Sequence, residues 1–99
     1  MKSDSNTWTY CFLIPVYNHA ALLEHTIPRF LSFRIPLIIV DDGSDAENKA
    51  ILKRIADSSA NIVLIGNTKN SGKGVAIKQG IAYCKDHGID FAFQVDADN

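Results

Sequence analysis

The sequence predicts an α/β fold, built on a mostly parallel sheet with the element order βαβαβαβ. Four apolar runs of strand length alternate with three segments of helix length, which is the pattern of parallel α/β domains. The runs are apolar almost throughout, as expected of strands that are covered on both faces. Since crossovers between parallel strands are right-handed, we expect one mostly parallel sheet with helices on both of its faces.

The first strand is predicted at 10–16, and Asn18 is predicted to cap the helix that follows it. Pro28 lies inside the helical pattern, so we expect a kink or an early break near it. The inward face of this helix is predicted to carry the apolar residues that recur at helical spacing, which are Leu22, Leu23, Ile27, Phe30 and Leu31.

The second strand is predicted at 36–40, and the second helix is predicted to run to about Ser58 with Ser44 or Asp45 as its cap. Its inward face is predicted to consist of three aliphatic residues, which are Ile51, Leu52 and Ile55.

The third strand is predicted at 61–65 and the third helix at about 74–87, with Gly88 as a C-terminal cap. The fourth strand is predicted at 91–95. The apolar side of the third helix is predicted to comprise four residues, which are Val75, Ile77, Ile81 and Cys84.

The totals describe one small globular domain that spans 1–99, with its core at about 10–99. A chain of 99 residues leaves no room for a second core, and the fractions of apolar (46%) and charged (21%) residues are those of globular proteins. The formal net charge of −1 provides no broad attraction to a polyanion. We therefore expect no nucleic-acid partner, and a phosphate ligand would need local donors or a metal.

The cellular location is predicted from the cysteines, the apolar stretches and the first ten residues of the sequence. Cys11 and Cys84 each lie in an apolar run, which favours two buried thiols in a reducing compartment over one disulfide. No apolar stretch approaches the roughly 18 residues that span a bilayer. The first ten residues lack the basic-then-apolar order of a secretory signal. We expect a cytoplasmic protein, with the cytoplasmic face of the membrane as the alternative for a full-length protein.

Polar clusters follow all four predicted strands, and they are the main functional signal. They lie at 15–18, at 41–45, at 70–74 and at 96–98. Because open α/β sheets bind ligands at the carboxyl ends of their strands, where the strand order reverses, we expect these clusters to meet in one crevice.

The two acids after the fourth strand are candidate metal ligands. Asp96 and Asp98 are separated by one residue, so both carboxylates can reach the same edge if the chain turns there. Mg²⁺ and Mn²⁺ prefer carboxylate oxygens and leave positions for substrate phosphates. The alternative is a solvated loop.

The acids after the second strand are candidate nucleotide ligands. A carboxylate in the crevice could accept hydrogen bonds from a base or from ribose hydroxyls, and Asp42 is favoured over Asp41 for this role. The alternative is turn chemistry, in which Asp and Gly make the turn and Ser44 or Asp45 caps the helix.

The glycine-rich loop at 70–74 is a candidate phosphate cradle, since glycines permit close backbone approach and a helix begins there. It is not a Walker A loop, because five residues separate Gly66 from Gly72 and Gly74 stands where that motif has Ser or Thr. Lys73 either neutralises a ligand phosphate or is solvated. Tyr17 is a candidate for lining a nucleobase pocket, whereas the three histidines have no ligand-like spacing.

The ordered set IPVYNH, IIVDDGSD, NSGKGVAIKQG and FQVDADN resembles the N-terminal half of family 2 glycosyltransferases, which have the GT-A fold. The GKG and DADN stretches are most similar to the dolichyl- or polyprenyl-phosphate sugar synthases. The resemblance implies a Rossmann-like GT-A half-domain with strand order 3-2-1-4.

The same resemblance implies the roles of individual residues. Pro15 and Tyr17 match the loop that contacts the nucleobase, and Asp42, with Asp41 beside it, matches the acid that binds the base. Asp96 matches the first acid of the D-x-D motif, near the ribose and the metal. Asp98 matches the second acid, which binds the Mn²⁺ or Mg²⁺ that bridges the diphosphate.

The reaction that the resemblance implies is the transfer of a sugar from a UDP- or GDP-sugar, with inversion, to an acceptor that could be a polyprenyl phosphate. The catalytic base of the family lies well past the D-x-D motif. We therefore expect this stretch to contain no catalytic base and to be inactive alone. We also expect it to expose apolar surface at the fourth strand, which invites self-association.

Two other classes are the alternatives. A sugar-1-phosphate nucleotidyltransferase should have a glycine-rich loop with a basic residue after the first strand, where this chain has 15–18. A non-catalytic nucleotide-binding or regulatory module of the receiver type should gather its acids after the first strand, whereas the acid pair here follows the second.

Overall fold

The computed structural model describes residues 9–97, which form four strands and three helices in strict alternation. In chain order they are β1 (Tyr10–Val16), α1 (Ala20–Leu31), β2 (Leu37–Asp41), α2 (Ala46–Asp57), β3 (Ile62–Gly66), α3 (Lys73–Asp86) and β4 (Phe91–Gln94). The predicted bounds of β1 are confirmed, and those predicted for the other three strands, α2 and α3 differ from the structure by at most one residue at either end. None of the helices in the described range is long and apolar enough to cross a membrane.

The four strands form one sheet with the order β3-β2-β1-β4, and every neighbouring pair is parallel. β1 lies in the middle, where Phe12 pairs with Leu37 of β2 on one side and with Phe93 of β4 on the other. The strand order therefore reverses beside β1. The predicted fold class and strand order are both confirmed.

Helices cover both faces of the sheet, as predicted, and each face has its own core. α1 and α2 pack on one face, and their core includes Ile14, Leu23, Ile39 and Leu52. α3 packs on the other face, over a core formed by Cys11, Leu13, Ile38, Val40, Ala76 and Cys84. β1 and β2 are therefore buried on both sides, which explains why their sequences are apolar without alternation.

The predicted apolar side of α3 is partly wrong. Its buried residues are Ala76, Gly80 and Cys84, whereas Val75 and Ile81 are about half exposed. The reason is the close approach of α3 to β1: a Cβ atom built on Gly80 would lie 2.1 Å from Leu13 Cδ1. Small residues therefore form the contact face, although a pattern based on side-chain hydrophobicity selects the larger aliphatic residues.

Two predictions about α1 also need correction. Its N-cap residue is His19 rather than Asn18, which adopts a left-handed conformation (φ 60°) in the turn before the helix. The predicted break at Pro28 is absent, since the helix continues to Leu31, and the alternative of a kink there stays a prediction. Pro28 lies in the last turn of the helix. The hydrogen bond that its missing N–H cannot make is therefore lost near the helix end, where only three helical residues follow.

The other predicted helix ends are closer to the structure. Asp45, and not Ser44, caps α2, and its side chain accepts a hydrogen bond from the Asn48 backbone N–H at 2.9 Å. Gly88 follows the end of α3 with φ 69°, the left-handed conformation that glycine adopts most readily, so its predicted role is confirmed.

β4 is the edge strand next to β1, and all four of its residues are exposed. Phe91 and Phe93 stack on Tyr10, with ring centroids 5.5 and 5.7 Å away, so their outer surfaces form an aromatic strip. The predicted apolar surface at the fourth strand is thus present, with Phe93 50% exposed. Self-association through it stays a prediction.

Both cysteines are buried free thiols, as predicted. Cys11 of β1 and Cys84 of α3 lie with their sulfur atoms 3.3 Å apart in the core under α3. Burial, together with the neighbouring Cys84 thiol, raises the pKa of Cys11 to about 12. The Cys11 thiol is therefore protonated at neutral pH and packs as a small apolar group.

Candidate functional site

A cleft of about 230 Å³ opens at the carboxyl ends of β1, β2 and β4, beside the point where the strand order reverses. Eight residues line it, which are Pro15, Val16, Tyr17, His19, Asp42, Lys73, Asp96 and Ala97. Five of these were predicted site residues from four different segments of the chain, and the parallel sheet brings them together. The volume is below the roughly 300–1,000 Å³ of complete ligand pockets, so the cleft suits part of a larger ligand.

Pro15 opens this cleft because of its position in β1. Along β1, Phe12 and Val16 bond to the β2 side, whereas the Leu13 carbonyl accepts from Val95 on the β4 side. Pro15 lies two residues beyond Leu13, so its backbone also faces the β4 side, where pairing has already ended. A residue without an N–H therefore costs no ladder hydrogen bond here, and the gap between the strands becomes the cleft.

Asp42 is buried, with 4% of its surface exposed, and it organises the loop before α3. Its Oδ1 accepts from the Ser71 N–H at 2.8 Å, and its Oδ2 accepts from the Gly72 N–H at 3.0 Å. The two bonds hold the end of this loop at the cleft. Gly72 (φ 101°) is the N-cap of α3, so Asp42 sets the direction in which Lys73 leaves the backbone.

Asp41 does not line the cleft. Its carboxylate is buried and accepts from the Ser44 N–H at 2.9 Å and from Lys49 Nζ at 2.6 Å. Lys49 also donates to the Asn67 carbonyl, so this ion pair ties the turn after β2 to the segment after β3. A contact between Asp41 and the nucleotide stays a prediction, and the role visible in the structure is to hold this turn.

Lys73 and Asp96 both line the cleft and contact each other. Lys73 Nζ lies 2.5 Å from Asp96 Oδ1, and this ammonium lowers the pKa of the Asp96 carboxyl below its usual range. Asp96 Oδ1 is itself buried, and no donor among residues 9–97 gives it a hydrogen bond of good geometry. The close contact is therefore an ion pair rather than a well-directed hydrogen bond.

The Asp96 carboxylate fits a divalent cation in its chemistry. A buried carboxylate oxygen that lacks a hydrogen-bond donor and already contacts a positive charge suits a hard cation. The reason is that a contact between a cation and an oxygen needs no donor hydrogen in a particular direction. Residues 9–97 hold no group of three His, Cys, Asp or Glu that could complete a metal site. Asp98, the other predicted ligand, lies outside the described residues.

His19 lines the cleft but was not predicted to be a site residue. It is the N-cap residue of α1, two positions after Tyr17 at the exit of β1. The spacing of the three histidines carries no metal-ligand signal, and the one available signal was that His19 directly follows a strand-end cluster. Tyr17 is 46% exposed in the cleft wall, so its ring is available to a ligand.

The turns after β1 and β2 are joined by reciprocal hydrogen bonds. The Asn18 N–H donates to Ser44 Oγ, and the Asp45 N–H donates to Asn18 Oδ1, both at 2.9 Å. The Asn48 side chain also accepts from the Ala20 N–H at the start of α1. Asn18 and Ser44 thus join two loops rather than capping their own helices, and the cleft wall between Tyr17 and Asp42 is braced.

Comparison with known proteins identifies the family. The family described as "Glycosyl transferase family 2" matches residues 11–99. An undecaprenyl-phosphate 4-deoxy-4-formamido-L-arabinose transferase from Pseudomonas savastanoi is 33% identical over 93 residues, which are 87% of this chain and 27% of that protein. A dolichyl-phosphate beta-glucosyltransferase from Trichomonas vaginalis is 29% identical over 88% of this chain and 29% of its own length. The chain thus spans less than a third of these relatives.

A solved structure supports the fold. A mannosyltransferase from Pyrobaculum calidifontis, in complex with GDP-Man and Mn²⁺, superimposes with a TM-score of 0.63 over 78% of this chain and 25% of that protein, at 20% identity. The parallel sheet of order β3-β2-β1-β4 with its helices is accordingly a GT-A, Rossmann-like fold. The family match covers all four strand-end clusters, and it excludes the nucleotidyltransferase and the receiver-type module as classes for this protein. This chain belongs to glycosyltransferase family 2.

Proposed function

We propose that this protein binds a nucleotide diphosphate sugar and a divalent cation, Mn²⁺ or Mg²⁺, in the cleft beside β1. The observation that carries the proposal is that five predicted site residues, Pro15, Tyr17, Asp42, Lys73 and Asp96, line this one cleft. Family membership and the GDP-Man and Mn²⁺ bound to the structural neighbour support the ligand class. The donor is a UDP- or GDP-sugar.

Different residues of the cleft suit different parts of such a ligand. Tyr17 and Pro15 offer a ring and an apolar wall to the nucleobase, and Lys73 offers a positive charge to the diphosphate. Asp96, with Asp98, would hold the cation. Bound there, the cation would supply charge neutralisation for the departing diphosphate. Asp42 keeps the loop and Lys73 in place for this contact.

We propose that the whole enzyme transfers the sugar, with inversion, to a lipid-linked phosphate. The support is that two relatives are named as transferases acting on undecaprenyl and dolichyl phosphates. A phosphate monoester is largely ionised at neutral pH, so this acceptor could attack without a base to deprotonate it. That chemistry agrees with a cleft where the carboxylates of Asp42 and Asp96 already have partners. The prediction that 1–99 alone transfers no sugar would be contradicted by steady transfer of radiolabelled sugar.

Calorimetric titration of UDP and GDP, with and without Mn²⁺, tests the proposal. We expect Mn²⁺-dependent binding of one nucleotide, weakened about tenfold or more by Asp96→Asn, which removes the charge of a cation ligand. Asp86→Asn, an exposed charge change at the end of α3, is the matched control and should bind as the unmodified protein does. Absence of nucleotide binding by the folded protein, or equal binding by Asp96→Asn, would contradict the proposed function.

A further inference from the structure

The ion pair between Lys73 and Asp96 lies in the cleft that the proposed function assigns to the diphosphate and the cation. Lys73 Nζ lies 2.5 Å from the one oxygen of Asp96 that is buried and lacks a hydrogen bond from residues 9–97. An ammonium group carries one positive charge and can occupy the space of a small cation beside a carboxylate. The structure thus places an internal cation against a proposed metal-binding oxygen.

We propose that Lys73 competes with the divalent cation for Asp96 while the donor is absent, and that the diphosphate removes this competition by drawing Lys73 to itself. The inference rests on the proposed function, and it adds the order in which nucleotide and cation bind. The cation binds weakly to the empty cleft and tightly once a nucleotide diphosphate is present. Metal and nucleotide are therefore coupled through one side chain.

The position of Lys73 allows such an exchange. It is the first residue of α3, and its side chain is 55% exposed, so the ammonium can swing without moving packed atoms. The backbone below it is fixed, because Asp42 holds the amides of Ser71 and Gly72. The swing is thus confined to the side chain, and both end points lie in the same cleft.

Charge decides the direction of the exchange. A nucleotide diphosphate brings more than one negative charge, whereas Asp96 offers Lys73 a single carboxylate that is partly exposed to solvent. An ion pair of that kind contributes little, so a multiply charged phosphate group outcompetes it for the ammonium. Once Lys73 leaves, Asp96 Oδ1 is a buried oxygen with no donor from the described chain, and a cation is the partner that its chemistry favours.

The test is Mn²⁺ binding followed by electron paramagnetic resonance, because the signal of free Mn²⁺ falls as the ion binds. Without nucleotide, Lys73→Met should bind Mn²⁺ about fivefold more tightly than the unmodified protein, the size expected when one partly exposed ion pair no longer competes. Lys73→Arg should keep the weak affinity. Lys78→Met, an exposed charge change on the same helix, is the matched control and should not differ from the unmodified protein.

For nucleotide binding, the same variant should change affinity in the opposite direction. Lys73→Met should bind UDP or GDP about tenfold more weakly, because the diphosphate loses a charged donor. The enhancement of Mn²⁺ affinity by nucleotide should shrink in the same variant. Equal Mn²⁺ affinity of Lys73→Met and the unmodified protein without nucleotide, including undetectable binding by both, would overturn the competition. Failure of every variant to bind nucleotide would instead refute the proposed function, while the nucleotide-free comparison still decides the role of Lys73.

Discussion

Replacing Asp42 with alanine tests whether this residue holds the loop before α3 in place as well as lining the cleft. In the structure its two carboxylate oxygens accept the backbone N–H groups of Ser71 and Gly72, at 2.8 and 3.0 Å. Asp42→Ala removes both acceptors at once and leaves the loop before α3 without an anchor. We expect a large loss of stability even when no ligand is present.

The size of the loss follows from the two bonds. A hydrogen bond to a charged group contributes about 1.5–3 kcal/mol, so the pair contributes roughly 3–6 kcal/mol. Ser71 is exposed and Gly72 half-buried, so water can replace part of what their N–H groups lose, which favours the lower end. We therefore expect the free energy of unfolding to fall by about 3 kcal/mol, which for a domain of this size lowers Tm by roughly 12–24 °C.

Urea and thermal unfolding followed by circular dichroism measure this loss. The matched control is Asp45→Ala, which removes one exposed N-terminal cap and should lower the free energy of unfolding by much less than Asp42→Ala does. Amide hydrogen exchange should also show that Ser71 and Gly72 lose protection in Asp42→Ala alone. A loss no larger than that of the control, with unchanged exchange at these two amides, would refute the reasoning.

Two further predictions concern the core under α3. Gly80→Ala should destabilise the protein by about 1 kcal/mol, because the added methyl meets Leu13 Cδ1 at 2.1 Å and the strain exceeds the gain in helix propensity. Gly74→Ala, which meets nothing within 4 Å, should have the opposite sign in the same urea titration. The buried Cys11, with its pKa raised to about 12 from 9.0, keeps a proton that the unfolded chain loses, so its contribution is complete below pH 9 and declines as pH rises toward 12. From pH 8 to 10 the unfolding free energy should fall by roughly 1 kcal/mol more than in Cys11→Val, and an equal fall in both proteins would contradict this assignment.

Much of the fold was predictable because it depends on patterns that the chain displays locally. The run at Tyr10–Val16 is apolar throughout and ends at a polar cluster, so both its burial and its bounds could be predicted. The face of α3 could not, because it depends on how closely the helix approaches β1. That distance is set by Gly80 against Leu13, a pair 67 positions apart, and helical periodicity carries no information about it.

The position of the candidate site could be predicted from the sequence, but the roles of its individual residues could not. Parallel strands bring their carboxyl ends to one edge, so the convergence of the clusters followed from the fold class. The different roles of Asp41 and Asp42 did not, since Asp41 is the last residue of β2 and Asp42 the first residue after it, and only the structure shows which of them meets Lys49. His19 was missed for a similar reason, because its place in the cleft depends on the turn that begins α1.

The pairing of β1 with β4 has a consequence for how the molecule folds. Tyr10 pairs with Phe91, so this contact closes a loop of about 80 residues, whereas the contacts of β1 with β2 and of β2 with β3 each close about 25. Longer loops lose more chain entropy on closure, and non-local pairing slows folding. β1, β2 and β3 can therefore assemble first and β4 can join them last. Because Asp96 comes two residues after the end of β4, the proposed cation-binding carboxylate reaches the cleft only in that final step, so refolding should restore the sheet's circular dichroism before it restores binding of Mn²⁺.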